Sequence, residues 1–223
     1  MKKNLLIGVS LLLPVSQICS TSNTRMDFKT SLETHKPIII KTDKINNLDR
    51  WGWHLLHYAA QENNIEVAKE LLRQGADINV KKDIQIDGSA LESTGKGETP
   101  LHEAVFSTNE EFAKFLIEQK VDIEARDYAF RTPLHFACWI DGYTQIIQQL
   151  LENGANPNAQ DKWGWTPLHR IVFASPENKE VIQLLFSHGA RDDIKNMSGK
   201  TASDIAFEHH QFELSTLKSQ KKL

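Results

Sequence analysis

Apolar residues recur along the chain in pairs of short stripes, each with the spacing of one helix face. One pair lies between residues 100 and 119, where Leu101 and Ala104 belong to the first stripe and Phe112 and Leu116 to the second. Residues three or four positions apart share a helix face, so the pattern predicts two short amphipathic helices with a polar break between them. Neither helix can bury its apolar stripe alone, which predicts packing against similar neighbouring units.

The second stripe has counterparts elsewhere in the chain. They are Ile65, Val67, Ala68, Leu71 and Leu72; Ile146, Ile147, Leu150 and Leu151; and Val181, Ile182, Leu184 and Leu185. Gly75, Gly154 and Gly189 follow these stripes directly, where a left-handed glycine ends a helix at least cost. Lys120 stands at the same position after the stripe of residues 110–119. It predicts either a strained left-handed lysine or a shifted helix end.

A four-residue motif opens the first stripe in three units. It occurs as Thr99, Pro100, Leu101 and His102, as Thr132, Pro133, Leu134 and His135, and as Thr166, Pro167, Leu168 and His169. Degraded copies start at His54 and Thr201. Threonine can cap a helix through its hydroxyl, and proline suits a first turn that needs no backbone donor. Each copy therefore predicts a helix start, and the histidines recur 33 and 34 residues apart.

This motif and its period resemble those of the ankyrin repeat family. The resemblance covers about residues 45–212 and implies an all-α repeat solenoid of helix-turn-helix units joined by β-hairpin loops. About four full repeats and a partial C-terminal capping repeat are expected. The predicted repeats span residues 49–81, 94–126, 127–160, 161–195 and 196–212, with an insertion at 80–96 and a C-terminal tail at 213–223.

The insertion carries Asp87-Gly88, a good turn signal. A functional finger and a neutral surface loop both fit this segment, because binding residues and tolerated insertions both concentrate in loops. A second departure from the repeat is Phe130, which stands where the other hairpins have glycine.

The first twenty residues are typical of a secretory signal peptide. Lys2 and Lys3 precede an apolar run at residues 5–15, and small and polar residues follow. The run is too short to cross a hydrocarbon core of ~30 Å as a helix. We expect export to the periplasm or the medium, or a cytoplasmic location if the segment is not processed. Residues 21–44 are expected to be poorly ordered or loosely docked. An exported chain rich in lysine and asparagine looks bacterial.

Composition and charge remove several function classes. The 26 Lys and Arg residues against 29 Asp and Glu give a net charge of −3, without the basic excess of a general nucleic-acid binder. The two cysteines, Cys19 and Cys138, exclude a disulfide-rich scaffold and an all-cysteine metal site. Cys138 is predicted to be a small core residue. Outside the N-terminal run, no stretch is long or apolar enough to be transmembrane.

Candidate chemistry is sparse. His57, His102, His135 and His169 belong to the repeat, and they are predicted to bond backbone near the helix starts. No H-E-x-x-H, C-x-x-C or G-x-S-x-G motif occurs. The sequence therefore predicts no catalytic residue, no metal and no cofactor.

The resemblance implies a non-enzymatic module that presents hairpin tips and a concave helical face to a protein partner. The alternatives are a regulatory or protective subunit that supports a periplasmic enzyme and a secreted, host-directed effector. We expect a monomer that binds protein rather than nucleic acid and has no transmembrane segment in its mature chain.

Aromatic residues concentrate at the predicted hairpin tips, which are the most solvated positions of this architecture. The tip residues are Trp51 and Trp53, Trp163 and Trp165, and Tyr128 and Phe130, with Trp139 on the helix that follows. Large exposed rings are costly unless a partner covers them, so these seven residues are the predicted partner-binding set. The alternative is that the rings pack on one another and on the stems of Arg50, Arg131 or Lys162.

Overall fold

The computed structural model describes residues 45–49, 51–83, 95–140, 143–210 and 214. The predicted signal peptide, the extension at 21–44, residues 84–94 of the insertion and all of the tail except Leu214 lie outside these residues. Within the described part, nine helices form and no strand does. They are α1 (Leu55–Gln61), α2 (Ile65–Arg73), α3 (Pro100–Phe106), α4 (Glu110–Glu118), α5 (Pro133–Ala137), α6 (Thr144–Glu152), α7 (Pro167–Ala174), α8 (Lys179–Ser187) and α9 (Ala202–His210). The predicted all-α repeat solenoid is confirmed.

The helices stack in two layers that share one core. In the first layer α1 packs on α3, α3 on α5, α5 on α7 and α7 on α9, and in the second α4 packs on α6 and α6 on α8. Fully buried leucines, among them Leu101, Leu134 and Leu168, fill the interfaces between successive first-layer helices. Each repeat therefore completes its core with side chains from the next repeat, as expected for a solenoid.

The motif residues start the first-layer helices as predicted. Thr99, Thr132 and Thr166 are the N-cap residues of α3, α5 and α7, and a proline occupies the first turn of each. In each case the histidine two residues after that proline bonds back to the N-cap backbone, so donors that the first turn leaves unpaired are satisfied.

Backbone hydrogen bonds connect the hairpin tips into a continuous edge. The donors and acceptors are Asp83 to Gly52 (3.0 Å), Tyr128 to Lys96 (3.1 Å), Lys162 to Ala129 (2.8 Å) and Met197 to Trp163 (2.9 Å). The first of these bonds starts from the insertion, just before its undescribed residues. Consecutive hairpins are therefore fixed relative to one another.

Two further bonds close the base of the insertion. The Lys82 N–H donates to the Glu98 carbonyl (2.9 Å), and the Gly97 N–H donates to the Lys82 carbonyl (2.8 Å). Residues 84–94 are thus bracketed by backbone that is paired on both sides.

Side chains join the loops at the opposite edge. The side-chain oxygen Oδ1 of Asn46 accepts from the Asp77 N–H (2.8 Å), and Oδ1 of Asn79 accepts from the Asp122 N–H (2.9 Å). In the next two loops, a Glu124 carboxylate oxygen accepts from the Asn156 N–H, and the side-chain oxygen of Asn158 accepts from the Arg191 N–H. Asn46 therefore occupies the position that Asn79, Glu124 and Asn158 hold in the later repeats.

Lys120 adopts a left-handed backbone, the first of the two outcomes that its position left open. Its φ is 59°, whereas the glycines that end α2, α6 and α8 have φ between 88° and 96°. Helix α4 ends at Glu118, so its end is not displaced. A Cβ in this conformation costs roughly 1–2 kcal/mol.

Lys120→Gly is accordingly expected to raise the free energy of unfolding by about 1 kcal/mol, measured by urea denaturation. The matched control is Lys114→Gly, at an exposed position inside the same helix, which should lower it by about 1 kcal/mol because glycine is a poor helix former. A destabilised Lys120→Gly variant would contradict the assignment of strain to this residue.

Candidate protein-binding site

The motif histidines connect each repeat to the next. Nδ1 of His102 accepts from the Thr99 N–H (3.2 Å), and Nε2 lies 3.1 Å from the Arg131 carbonyl of the following repeat. Since Nδ1 accepts, the ring proton resides on Nε2 and is donated to that carbonyl. His135 and His169 make the same pair of contacts. These side chains are structural, and each depends on a neutral imidazole.

Burial favours that neutral form. It lowers the pKa of His102 to about 3 and that of His135 to about 4, because the imidazolium would lose its hydration. The pKa of His57 is also held well below its usual value, first by burial and then by the charge of Lys82.

A buried ionic cluster lies beside the hairpin tips of the first two repeats. Nζ of Lys82 is 3.0 Å from a Glu98 carboxylate oxygen and also pairs with Glu103, and all three residues are buried. The same Nζ lies 3.6 Å from the ring centroid of Trp53. Burial raises the pKa of Glu98 despite the opposing charge of Lys82.

A second cluster surrounds Arg170 on the third and fourth repeats. Its guanidinium carbon is 4.6 Å from the ring centroid of Trp139, 4.9 Å from that of Trp165 and 5.8 Å from that of Trp163. The guanidinium also pairs with Asp161, whose other carboxylate oxygen accepts the backbone N–H groups of Trp163 and Trp165 at 2.9 Å. One arginine thus holds three tryptophans.

These clusters correct the expectation that all four tip tryptophans are solvated. Trp53 and Trp165 are half-buried. Trp53 stacks on Tyr58 (5.0 Å between centroids), and Trp165 packs edge-on against Phe173 (5.5 Å). Trp51 is also half-buried, whereas Trp163 is exposed. The packing alternative is therefore right for part of the set: Lys82 lies over Trp53 and Arg170 over Trp165, Arg131 lies over Phe136, and Arg50 is outside the described residues. Lys162 does lie over Trp163, at 4.9 Å.

The other predicted binding residues are exposed. Tyr128, Phe130 and Trp139 have exposed fractions of 57%, 53% and 53%. Phe130 is left-handed, with φ 59°, at the position that glycine takes in other hairpins. The third repeat therefore presents three aromatic side chains to solvent, and Trp163 of the fourth repeat lies next to Trp139 across Arg170.

A row of exposed aromatic residues follows the first-layer helices. Phe106, Trp139 and Phe173 each stand four residues after a motif histidine, and Phe106 and Phe173 are 59% and 49% exposed. Sequence reasoning selected Trp139 and missed its two counterparts. Counting four positions on from each motif histidine would have found them.

A cavity of about 600 Å³ lies along this face from the first repeat to the third. Trp53, Phe106, Phe136 and Trp139 supply its aromatic lining, and Gln61 and Ile140 also line it. The Lys82 cluster and Arg131 contribute the charged part of the lining. The concave face therefore offers a groove with apolar rings and a few fixed charges, as is usual for binding sites.

Neither a metal-holding group of side chains nor a membrane-spanning helix is present among the described residues. In that part of the chain no three His, Cys, Asp or Glu side chains are grouped so that they could hold a metal ion. None of the helices described there has the length and apolar character that a membrane span needs.

Cys138 is fully buried, and burial raises the pKa of its thiol strongly. In a Cys19→Ser background, where Cys138 is the sole cysteine, we expect a thiol reagent to label the native protein at least about a hundredfold more slowly than the urea-unfolded protein, because reaction requires local opening. Similar labelling rates in the two states would show that the thiol is accessible.

The comparisons with known proteins agree with this architecture. A model of the family described as ankyrin repeats (3 copies) matches residues 83–161 and 134–217, and a model of the single ankyrin repeat matches residues 51–83. The chain belongs to the ankyrin repeat family. Proteins of this family are protein-interaction modules, and the chain is one of them.

Individual relatives are similar over much of this chain. The chain is 30% identical over 188 residues to the Probable 26S proteasome regulatory subunit p28 of Saccharomyces cerevisiae, covering 81% of this chain and 77% of that protein. It is 32% identical over 162 residues to Rabankyrin-5 of Homo sapiens, covering 71% of this chain and 14% of the relative. Human Neurogenic locus notch homolog protein 1 is 30% identical over 162 residues, which are 72% of this chain and 6% of that protein.

Proposed function

We propose that the chain binds a protein partner through the exposed aromatic surface of its third and fourth repeats and catalyses no reaction. This aromatic surface consists of Tyr128, Phe130, Trp139 and Trp163. Exposed tryptophan and tyrosine side chains dominate the energetics of many interfaces, and a cluster of them is costly to leave in water.

The observation that carries the proposal is the conformation of Phe130. It combines a left-handed backbone with a ring that is more than half exposed. Glycine at this position would remove a cost of roughly 1–2 kcal/mol, so the phenylalanine stands here at a cost to the stability of the fold. Strained residues of this kind concentrate at functional sites.

Phe130→Gly separates binding from stability. It is expected to raise the free energy of unfolding by about 1 kcal/mol and to weaken partner capture at least tenfold, which corresponds to about 1.4 kcal/mol of binding free energy. The measurement is a urea titration beside a quantitative pull-down from an extract of the source cells, with the partner identified by mass spectrometry. The matched control is Phe207→Ala on α9, an exposed phenylalanine outside the aromatic surface, which should leave capture unchanged.

Unchanged capture by a stabilised Phe130→Gly variant would contradict the proposed surface. Trp165→Ala is a poor substitute for this test, since Trp165 packs against Arg170 and Phe173 and its loss is expected to lower stability as well.

A second candidate is a regulatory subunit of a larger assembly. It is supported by the similarity to the yeast proteasome regulatory subunit, which extends over most of both chains. In that case the protein in a native extract should elute in gel filtration well above the volume of a monomer, and Phe130→Gly should return it to the monomer volume. Elution of the unmodified protein as a monomer in its own extract would favour transient binding instead.

We also propose that the chain is a bacterial protein that is exported through its N-terminal apolar run and is a monomer before it meets its partner. Cell fractionation with a C-terminal tag tests the location. A tagged product in the periplasm or medium with a mass lower by about twenty residues supports export, whereas full-length product in the cytoplasm contradicts it.

A further inference from the structure

Basic side chains line the hairpin edge of the solenoid, the same edge that carries the tip residues of the aromatic surface. Each hairpin begins at a residue whose N–H donates across the loop and whose carbonyl oxygen accepts a second N–H. The residues directly before three of these starting points are exposed cations, namely Lys81, Arg126 and Lys195. Two further cations, Lys96 and Lys162, lie in the tips and are partly exposed. We refer to these five residues as the basic edge.

The basic edge adjoins the aromatic surface. Nζ of Lys162 lies 4.9 Å from the ring centroid of Trp163. The Tyr128 N–H donates to the Lys96 carbonyl (3.1 Å), and the Tyr128 ring lies against Gly97, where an added Cβ would be only 2.5 Å from Cδ1 of the ring. A partner that covers these rings therefore also meets the cations beside them.

The buried carboxylates near the tips are neutralised within the fold. Each of them pairs with a cation that is itself buried or half-buried: Asp127 with Arg131, Asp161 with Arg170, and Glu98 and Glu103 with Lys82. Asp49 is half-buried, and its carboxylate accepts the backbone N–H groups of Trp51 and Trp53 (2.9 Å each). These pairings leave the basic edge as the main exposed charge of the second, third and fourth hairpins.

The cations of the basic edge keep their charge for a partner. Where the structure describes both members of a salt bridge, none involves Lys96, Arg126 or Lys195. Nζ of Lys81 donates to the Arg126 carbonyl (2.8 Å), which is a neutral acceptor. Glu124 lies within the field of Arg126, and its carboxylate accepts a backbone N–H of the next loop (2.8 Å). The whole chain has a net charge of −3, so the positive edge is a local arrangement rather than a general excess.

We propose that the basic edge binds an acidic segment of the protein partner, whose carboxylates face the cations while its apolar groups cover the aromatic surface. Complementary potentials speed association and discriminate among partners. Nucleic acid is the other polyanion that such cations attract, but the chain lacks the basic excess of a nucleic-acid binder and its family consists of protein-interaction modules. The inference rests on the proposed function, since it gives the chemistry of the partner that the aromatic surface receives.

Fluorescence anisotropy with synthetic peptides tests the proposal on the full chain. The probe is a labelled peptide of eight glutamates, six serines and two leucines, and its matched control has glutamine in place of every glutamate. At about 50 mM NaCl the probe should bind at least about tenfold more tightly than the control, and about 500 mM NaCl should remove most of this advantage, because ions screen exposed charges. Equal binding of the two peptides, or an advantage that salt does not reduce, would overturn the proposal.

An oligothymidylate with the same number of negative charges distinguishes an acidic protein segment from any polyanion. It should bind at least about tenfold more weakly than the glutamate peptide, because nothing in the proposed contact depends on phosphates or bases. Equal or tighter binding of the oligonucleotide would overturn the assignment in favour of a nucleic-acid ligand.

Charge reversal on the basic edge provides the variant arm. Lys96→Glu and Arg126→Glu together should weaken binding of the probe at least about tenfold, and both keep the backbone carbonyls that accept hydrogen bonds from neighbouring hairpins. The matched control combines Lys114→Glu and Lys179→Glu, which make the same change of charge at exposed positions of α4 and α8. It should leave binding nearly unchanged. Equal losses in the two double variants would contradict a defined site. If the first double variant does not fold, Arg126→Gln alone should still weaken binding, and an unchanged affinity would contradict the proposal.

Failure of this inference is distinguishable from failure of the proposed function. If the chain captures a protein partner in a Phe130-dependent manner but binds the glutamate peptide no better than its control, the acidic ligand is wrong and the aromatic surface stands. If it neither captures a partner in that manner nor binds the peptide, both proposals are wrong.

Discussion

Lowering the pH from 7 to 5 is expected to remove about 4 kcal/mol from the free energy of unfolding through two histidines alone. The pKa of His102 is about 3 and that of His135 about 4 in the folded protein, against about 6.5 for an unfolded chain. The unfolded chain therefore binds protons that the folded protein rejects. The stability is present above pH 6.5 and is lost as the pH falls towards the folded values, at about 2 kcal/mol for each histidine by pH 5.

Other titrating groups mostly reinforce this loss. Burial also lowers the pKa values of His54, His57 and His169, so all five histidines act in the same direction. Glu98 acts in the opposite direction, because its raised pKa makes protonation favour the folded state. The net effect is a large part of the 5–15 kcal/mol that typically stabilises a domain.

Urea titrations at pH 7, 6 and 5 measure the effect, and His135→Gln identifies its source. The variant should be less stable at pH 7, since the contacts of His135 with Thr132 and the Trp165 carbonyl are disturbed. Below pH 6.5 the slope of its unfolding free energy against pH should be smaller by about 1.4 kcal/mol per pH unit, because the variant takes up one proton fewer on unfolding. Parallel pH profiles of the variant and the unmodified protein would show that His135 is not the titrating group.

Lys82→Met is expected to destabilise the fold by roughly 3–5 kcal/mol, because it leaves two buried carboxylates without their cation. Glu98 and Glu103 have little access to water, and they would repel each other once Nζ is absent. The deficit should shrink as the pH falls, since protonation of either carboxyl group relieves it. Chemical denaturation at pH 7 and pH 5 measures both effects.

Removing the charges together is the matched control. A variant with Lys82→Met, Glu98→Gln and Glu103→Gln has no buried ion and should regain most of the lost stability, as is found when whole buried ion networks are replaced by uncharged residues. A triple variant as unstable as Lys82→Met alone would mean that the lysine contributes through packing on Trp53 rather than through its charge.

The repeat architecture could be predicted because its determinants are local. Thr132 and Pro133 favour a helix start through their own chemistry, and apolar residues spaced three or four positions apart determine which helix face is buried. For Lys120 the same local signals narrowed the outcome to a left-handed lysine or a shifted helix end, and the structure decides for the left-handed lysine. None of these features depends on a distant part of the chain.

The environment of the tip tryptophans could not be predicted in the same way. Trp53 is covered by Lys82, which is 29 residues further along the chain, and Lys82 is held there by Glu98 and Glu103 from the next repeat. No periodic signal marks a lysine as the partner of residues on the other side of an insertion. Arg170 is similar, because one guanidinium contacts tryptophans from two repeats.

The paired backbone at the base of the insertion makes this position a natural grafting site. Lys82 bonds to Gly97 and Glu98 on the far side of the loop, so the ends of any segment joined at residues 83 and 95 are already held together. Doubling the length of a closed loop adds only about 0.6 kcal/mol of entropic cost. The sequence between residues 83 and 95 can therefore be exchanged, in evolution or by design, and its length varied while the stacked helices keep their order.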